Sequence, residues 1–169
     1  FADHIGAFFY PDELWWRVVG RFGLPVWFFL AGYSKSLSVG SSLWVGVAIL
    51  IGANILLGQN LLPFNALATV IIIRLVVPKL CEFSFKNRER LLLVFLTLFF
   101  LGFPTNNIFE YGTFAFLLAM FGYAIRHREQ AEVKRFYKIF CLAVAIFVSG
   151  GQIVQFDFST LQSIVCLLG

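Results

Sequence analysis

Long apolar runs follow one another through this chain with only short polar breaks between them, and that alternation limits its fold more than any motif does. The runs cover residues 1–10, 14–33, 42–58, 61–80, 91–103, 108–125 and 136 to about 153, and one more begins near Thr160. Several approach the ~20 apolar residues a bilayer-crossing helix needs. Composition sharpens the point. The chain is 60% hydrophobic and 13% charged, where soluble domains are about 45–50% apolar and about 25% charged. A domain of 169 residues has too little interior to hide that much apolar surface from water. The expectation is an all-α polytopic transmembrane helix bundle, one domain over residues 1–169, with about six complete spans and partial first and last spans. The chain opens inside one apolar run at Phe1 and closes inside another at Gly169, so truncation at both ends is expected.

The breaks alternate in charge. "KS" follows the second run, "KLCEFSFKNRER" the fourth and "RHREQAEVKRFYK" the sixth, whereas "GQN", "PTNN" and "QFD" contain no Lys or Arg. The positive-inside rule places the basic breaks in the cytoplasm and "YPDE" outside. This accounts for the pI of about 9.2 without a nucleic-acid partner. Cys81, Cys141 and Cys166 lie far apart, in no metal or redox spacing. The two histidines, His4 and His127, fall on opposite faces in this reading and cannot share one iron. No metal and no haem are therefore expected, and His127 reads as a solvated loop residue.

Polar residues cluster by depth. Asp3 and His4 lie about two turns below the outer end of the first run, and Arg17 and Arg21 lie in the first two turns of the second. Asn54, Asn65 and Glu110 fall toward the same side. A charge at a helix centre costs roughly 2.5–3.5 kcal/mol on insertion scales, so such groups pair, line a wet cavity or do chemistry. Plainer roles exist for each. Arg17 serves as an interface anchor beside Trp15 and Trp16, Asp3 as a counter-ion, Asn54 and Asn65 as interhelical glue, and Glu110 as a solvated acid. His4 is different, because an imidazole titrates near neutrality and can take a proton from a hydroxyl or amine and return it. Neighbouring helical residues point about 100° apart, so Asp3 is poorly placed to orient His4, and Glu110 is the leading partner.

One stretch carries a resemblance. "DHIG", then "FFYPD", then "WRVVGRFGLPVWFFLAGY", with "EYG" at Glu110 to Gly112, resembles the TraX family of bacterial membrane proteins. "VWFFLAGY" is also similar to the "FFxxSG" segment of acyltransferase-3 type membrane acyltransferases, with Ala31 where those have Ser. The specific motifs occupy mainly the first 35 residues.

The resemblance implies an integral protein of the bacterial inner (plasma) membrane, an O- or N-acyltransferase. It would move an acetyl or other acyl group from cytoplasmic acyl-coenzyme A to an acceptor on the extracytoplasmic side: a protein N-terminus, a sugar or a lipid. TraX proteins acetylate a pilin N-terminus. The catalytic histidine of the acyltransferase-3 relatives maps to His4. Asp3, Glu110 and Arg21 would complete the catalytic group, and Arg17, Asn65, Asn54 and Tyr111 the acceptor or oxyanion region. Arg74, Lys79, Arg88 and Arg90, with Lys86 nearby, would hold the phosphates of coenzyme A, or else are ordinary cytoplasmic-face charge. The partners would be the lipid bilayer and the acceptor. A second class of function is a non-catalytic accessory subunit packed into a larger membrane complex.

Overall fold

In a computed structural model the described residues are 25–56, 58, 66–105, 107–109 and 111–156, with side chains described as far as Ile146, Phe103 excepted. Among them the chain forms seven helices: α1 (residues 25–33), α2 (Ser41–Leu56), α3 (Ala66–Ser84), α4 (Arg88–Thr105), α5 (Phe114–Arg126), α6 (Ala131–Lys134) and α7 (Tyr137–Phe156). The partial first and last spans of the expected bundle lie outside the described residues.

The chain is all-helical, but the expected transmembrane bundle needs correcting. Among the described residues no helix is both long and apolar enough to cross a membrane. The apolar runs overstate the helices they contain. α2 has 16 residues and α5 has 13, about 24 and 20 Å of rise against a hydrocarbon layer of about 30 Å. The run over 108–125 loses its first turn to the bend at Tyr111 and Gly112, so α5 starts at Phe114. α3 is 19 residues long but includes Arg74, Lys79 and Glu82. Of the 18 residues of α4, the first three are Arg88, Glu89 and Arg90.

α5 is the hub. Eight of its thirteen side chains are buried, so it is apolar nearly all round and sits inside the other helices instead of on one side of them. α3, α4 and α7 pack against it, and α1 crosses it at two glycines. A Cβ on Gly32 would stand 1.9 Å from the Ala119 carbonyl oxygen, and one on Gly122 would stand 2.0 Å from that of Phe29. Only hydrogen at these positions lets the two backbones meet. Phe29 then packs edge-on against Phe121, with ring centroids 5.4 Å apart. The crossing is tied at its end by Arg126, whose Nη1 donates to the Tyr33 carbonyl at 2.9 Å, satisfying an orphan acceptor at the α1 C-terminus.

Local chemistry sets the helix ends. α3 and α4 form a tight hairpin through Phe85, Lys86 and Asn87. Asn87 begins α4 as a side-chain cap, its Oδ1 accepting from the Arg90 amide at 3.2 Å. Between α4 and α5, the Thr113 amide donates to the Thr105 hydroxyl at 3.0 Å, and the Thr113 hydroxyl donates back to the Leu98 carbonyl. Two threonines thus fold the chain over at the end remote from the α3–α4 hairpin.

Candidate functional site

The strongest gathering of charge lies where the α3–α4 hairpin meets the start of α7. Phe140 stands edge-on to both Phe85 and Phe95, with centroid separations of 5.6 and 6.2 Å. This aromatic seat draws the α6–α7 junction against the hairpin. Together they line a cleft of about 290 Å³ formed by Lys86, Asn87, Arg88, Glu89, Arg135 and Phe136. Three cations therefore face one carboxylate. The N-terminal turn of α4 borders the same space, and helix N-termini carry partial positive charge and free N–H groups. Arg90, one residue beyond the cleft, is held instead over the Phe83 ring, its Cζ 4.9 Å from the centroid.

Arg74 sits elsewhere. It lies ten residues before Ser84 on α3, about 15 Å of helical rise from the hairpin. Its Nη1 donates to the Ser38 carbonyl at 3.2 Å, while its Nε is buried with no hydrogen-bond partner among the described residues. A buried donor left unpaired costs about 1–3 kcal/mol. Pro78, four residues on, has no N–H to offer the Arg74 carbonyl. Lys79 is exposed on α3. Of the four cations grouped in the sequence as phosphate ligands, the structure puts only Arg88 in the cleft and brings Lys86 and Arg135 to it. Arg135 was legible only as part of a basic break, because its role depends on contact between segments far apart in sequence.

His4, Asp3, Arg17, Arg21, Asn65 and Glu110 lie outside the described residues. Asn54 is half-buried on α2, and Tyr111 is buried in the α4–α5 connection with its ring 5.7 Å from that of Phe28. Tyr111 has φ +68° and Gly112 φ +50°, a pair of left-handed residues that only glycine adopts readily. His127 is not a free loop side chain. It follows the last turn of α5, its ring stacked on Tyr123 at 4.0 Å and its Nδ1 3.0 Å from the Tyr123 carbonyl.

Two thiols are shielded. Burial raises the Cys81 thiol well above its usual range, with Glu82 adding to the effect, and burial pushes Cys141 up to about 12. Among the described residues no group of three His, Cys, Asp or Glu side chains is placed to hold a metal ion. No family model matches the chain, and no curated protein or solved structure is similar to it.

Proposed function

We propose that the protein is an acyltransferase of the TraX type that takes its acyl group from a coenzyme A thioester. The observation that carries this reading is the cleft at the hairpin. Lys86, Arg88 and Arg135 converge there beside the α4 N-terminus, an arrangement suited to a ligand bearing several phosphates. A planar guanidinium takes two phosphate oxygens at once, and Arg88 and Arg135 supply two such groups. At the acceptor end His4 would serve as general base toward a hydroxyl or amine, with Asp3 and Glu110 as supporting carboxylates. Arg21 or Arg17 would offset the negative charge that develops on the thioester oxygen. The chain would work at the bacterial inner membrane, its basic end toward the cytoplasm.

Transfer of label from acetyl-coenzyme A into membrane extracts tests this. His4→Ala should lower transfer by about a hundredfold or more, the usual worth of a general base. Arg88→Ala with Arg135→Ala should raise KM for acetyl-coenzyme A by about tenfold and leave kcat nearly unchanged, since charge-assisted contacts to a remote phosphate bind ground and transition states alike. Equal labelling by wild type and His4→Ala would remove the enzyme reading.

A second reading, an accessory subunit of a membrane complex, is favoured by the large apolar side chains left exposed, among them Trp27, Trp44, Ile49 and Phe100. Co-purification with a large assembly in mild detergent is its expected outcome, and migration as a small lone particle opposes it.

A further inference from the structure

A groove between α1, α2 and α3 has the polarity of a binding site for an amphiphile. It encloses about 430 Å³, within the ~300–1,000 Å³ typical of small-molecule sites. Trp27 and Leu30 of α1, Leu43 of α2, and Leu67 and Val70 of α3 supply an apolar lining, and Arg74 is its one charged member among the described residues. The polar groups are confined to one end. Arg74 lies there with Ser34, next to the serine-rich link between α1 and α2, where the Ser34 hydroxyl donates to the Ser36 carbonyl at 2.9 Å. From that end α1 runs seven residues back to Trp27 and α3 seven residues back to Leu67, each about 10 Å of apolar wall.

The guanidinium supplies the chemical selectivity. Its hydrogen bond to Ser38 uses Nη1. Nε, on the edge it shares with Nη2, has no partner among the described residues. The guanidinium that lines the groove carries a positive charge, and a carboxylate is the partner its planar N–H donors match. A positive group at the head of an otherwise apolar trough is complementary to an anionic head on a hydrocarbon tail. We infer that this groove binds the carboxylate of a single-chain fatty acid, its head on Arg74 and its tail along Trp27 and Leu67. The inference stands apart from the acyl-transfer reading, because binding there needs neither His4 nor the phosphate cleft.

Tryptophan quenching by 9,10-dibromostearate tests it, with the full chain in a nonionic maltoside detergent. The probe carries its bromines mid-chain, one groove length from the carboxylate, where Trp27 would report them. Quenching should saturate and should be largely lost in Trp27→Phe. The methyl ester of the same acid, which cannot form the ion pair, should bind about tenfold more weakly or worse. In Arg74→Gln the acid should fall to the level of the ester, and Arg74→Lys should recover only part of the difference. Equal quenching of the wild type by acid and ester overturns the proposal without any variant needing to fold. Retention of the acid preference in Arg74→Gln overturns it as well. Saturable quenching by dibrominated phosphatidylglycerol that laurate fails to displace would assign the groove to a two-chain lipid and overturn the single-chain commitment. Loss of acyl transfer in His4→Ala with fatty-acid binding intact, or the reverse, separates the two proposals.

Discussion

Tyr111 holds a left-handed backbone that a bulky side chain seldom adopts, and conformations of this kind cost of order 1–3 kcal/mol. The surroundings hold it there. Its ring is buried beside Phe28, its carbonyl accepts from the Phe114 amide at 3.2 Å, and the Gly112 amide donates to the Phe109 carbonyl at 2.8 Å. Tyr111→Ala removes the ring and keeps the strain, so it should destabilise by about 3–5 kcal/mol, the range for deleting a large core aromatic. Tyr111→Gly removes the same ring but relieves the backbone. It should be the more stable of the two by up to about 1 kcal/mol, the reverse of the usual glycine penalty. Denaturant midpoints of the two variants decide the order. The thiols give a pH prediction. Cys81 and Cys141 keep their protons in the folded chain at pH values where an unfolded thiol, near 9.0, loses its own. The unfolded state then binds fewer protons, so the thiol contribution is complete below that range and falls as pH rises toward about 12. The double variant Cys81→Ala/Cys141→Ala should show a shallower loss of stability over that interval than wild type. Identical slopes in alkaline unfolding curves would refute it.

At the scale of elements, the glycines divide by what surrounds them. Gly122→Ala would drive a Cβ to 2.0 Å from the Phe29 carbonyl oxygen and 2.8 Å from the Tyr33 amide nitrogen, both backbone atoms that cannot swing aside. α1 would have to lift off α5, so a loss of about 1–3 kcal/mol or more is expected. Gly52 is also inside a helix, but among the described residues nothing lies within 4 Å of a Cβ built there. Gly52→Ala should therefore raise stability by about 0.5–1 kcal/mol through helix propensity alone. Thermal unfolding of the pair checks both signs. Neither difference is readable in the sequence, where Gly52 and Gly122 sit in similar apolar surroundings. What the sequence does make legible is the rough position of each helix. The run over 42–58 is close to α2, and the run over 91–103 is α4 with a turn missing at its start. The run over 61–80 ends four residues before α3 does, since hydropathy follows side chains and the helix continues through charged Glu82 to the hairpin. α6 was hidden altogether, four residues inside a charged break with no apolar period to mark it.

For the whole molecule, apolar composition was a sound guide to helices and a poor one to spans. Treating each run as one crossing assumed that apolar length and helix length coincide. The Tyr111 bend, the charges along α3 and the charged start of α4 break that equality. Lys86, Arg88 and Arg135, which come from two of the basic breaks, line one cleft. Which cations would meet was beyond the sequence, since the choice is made by aromatic packing between distant segments. A cleft built from solvent-exposed cations should respond to ionic strength. Binding of coenzyme A should weaken by severalfold between about 10 mM and 150 mM salt, as the Debye length falls from ~30 to ~8 Å. Fatty-acid binding at the partly buried Arg74 should change much less. Isothermal titration at the two ionic strengths compares them, and equal salt responses would count against that division.

Phe140 sets a final consequence. Its ring stands edge-on to Phe85 and Phe95 at once, so the wall of the cleft that carries Arg135 is held to the wall that carries Arg88 by hydrocarbon contact. Shaving the ring to leucine should loosen that contact, blunting anion capture while the helices around α5 stay assembled.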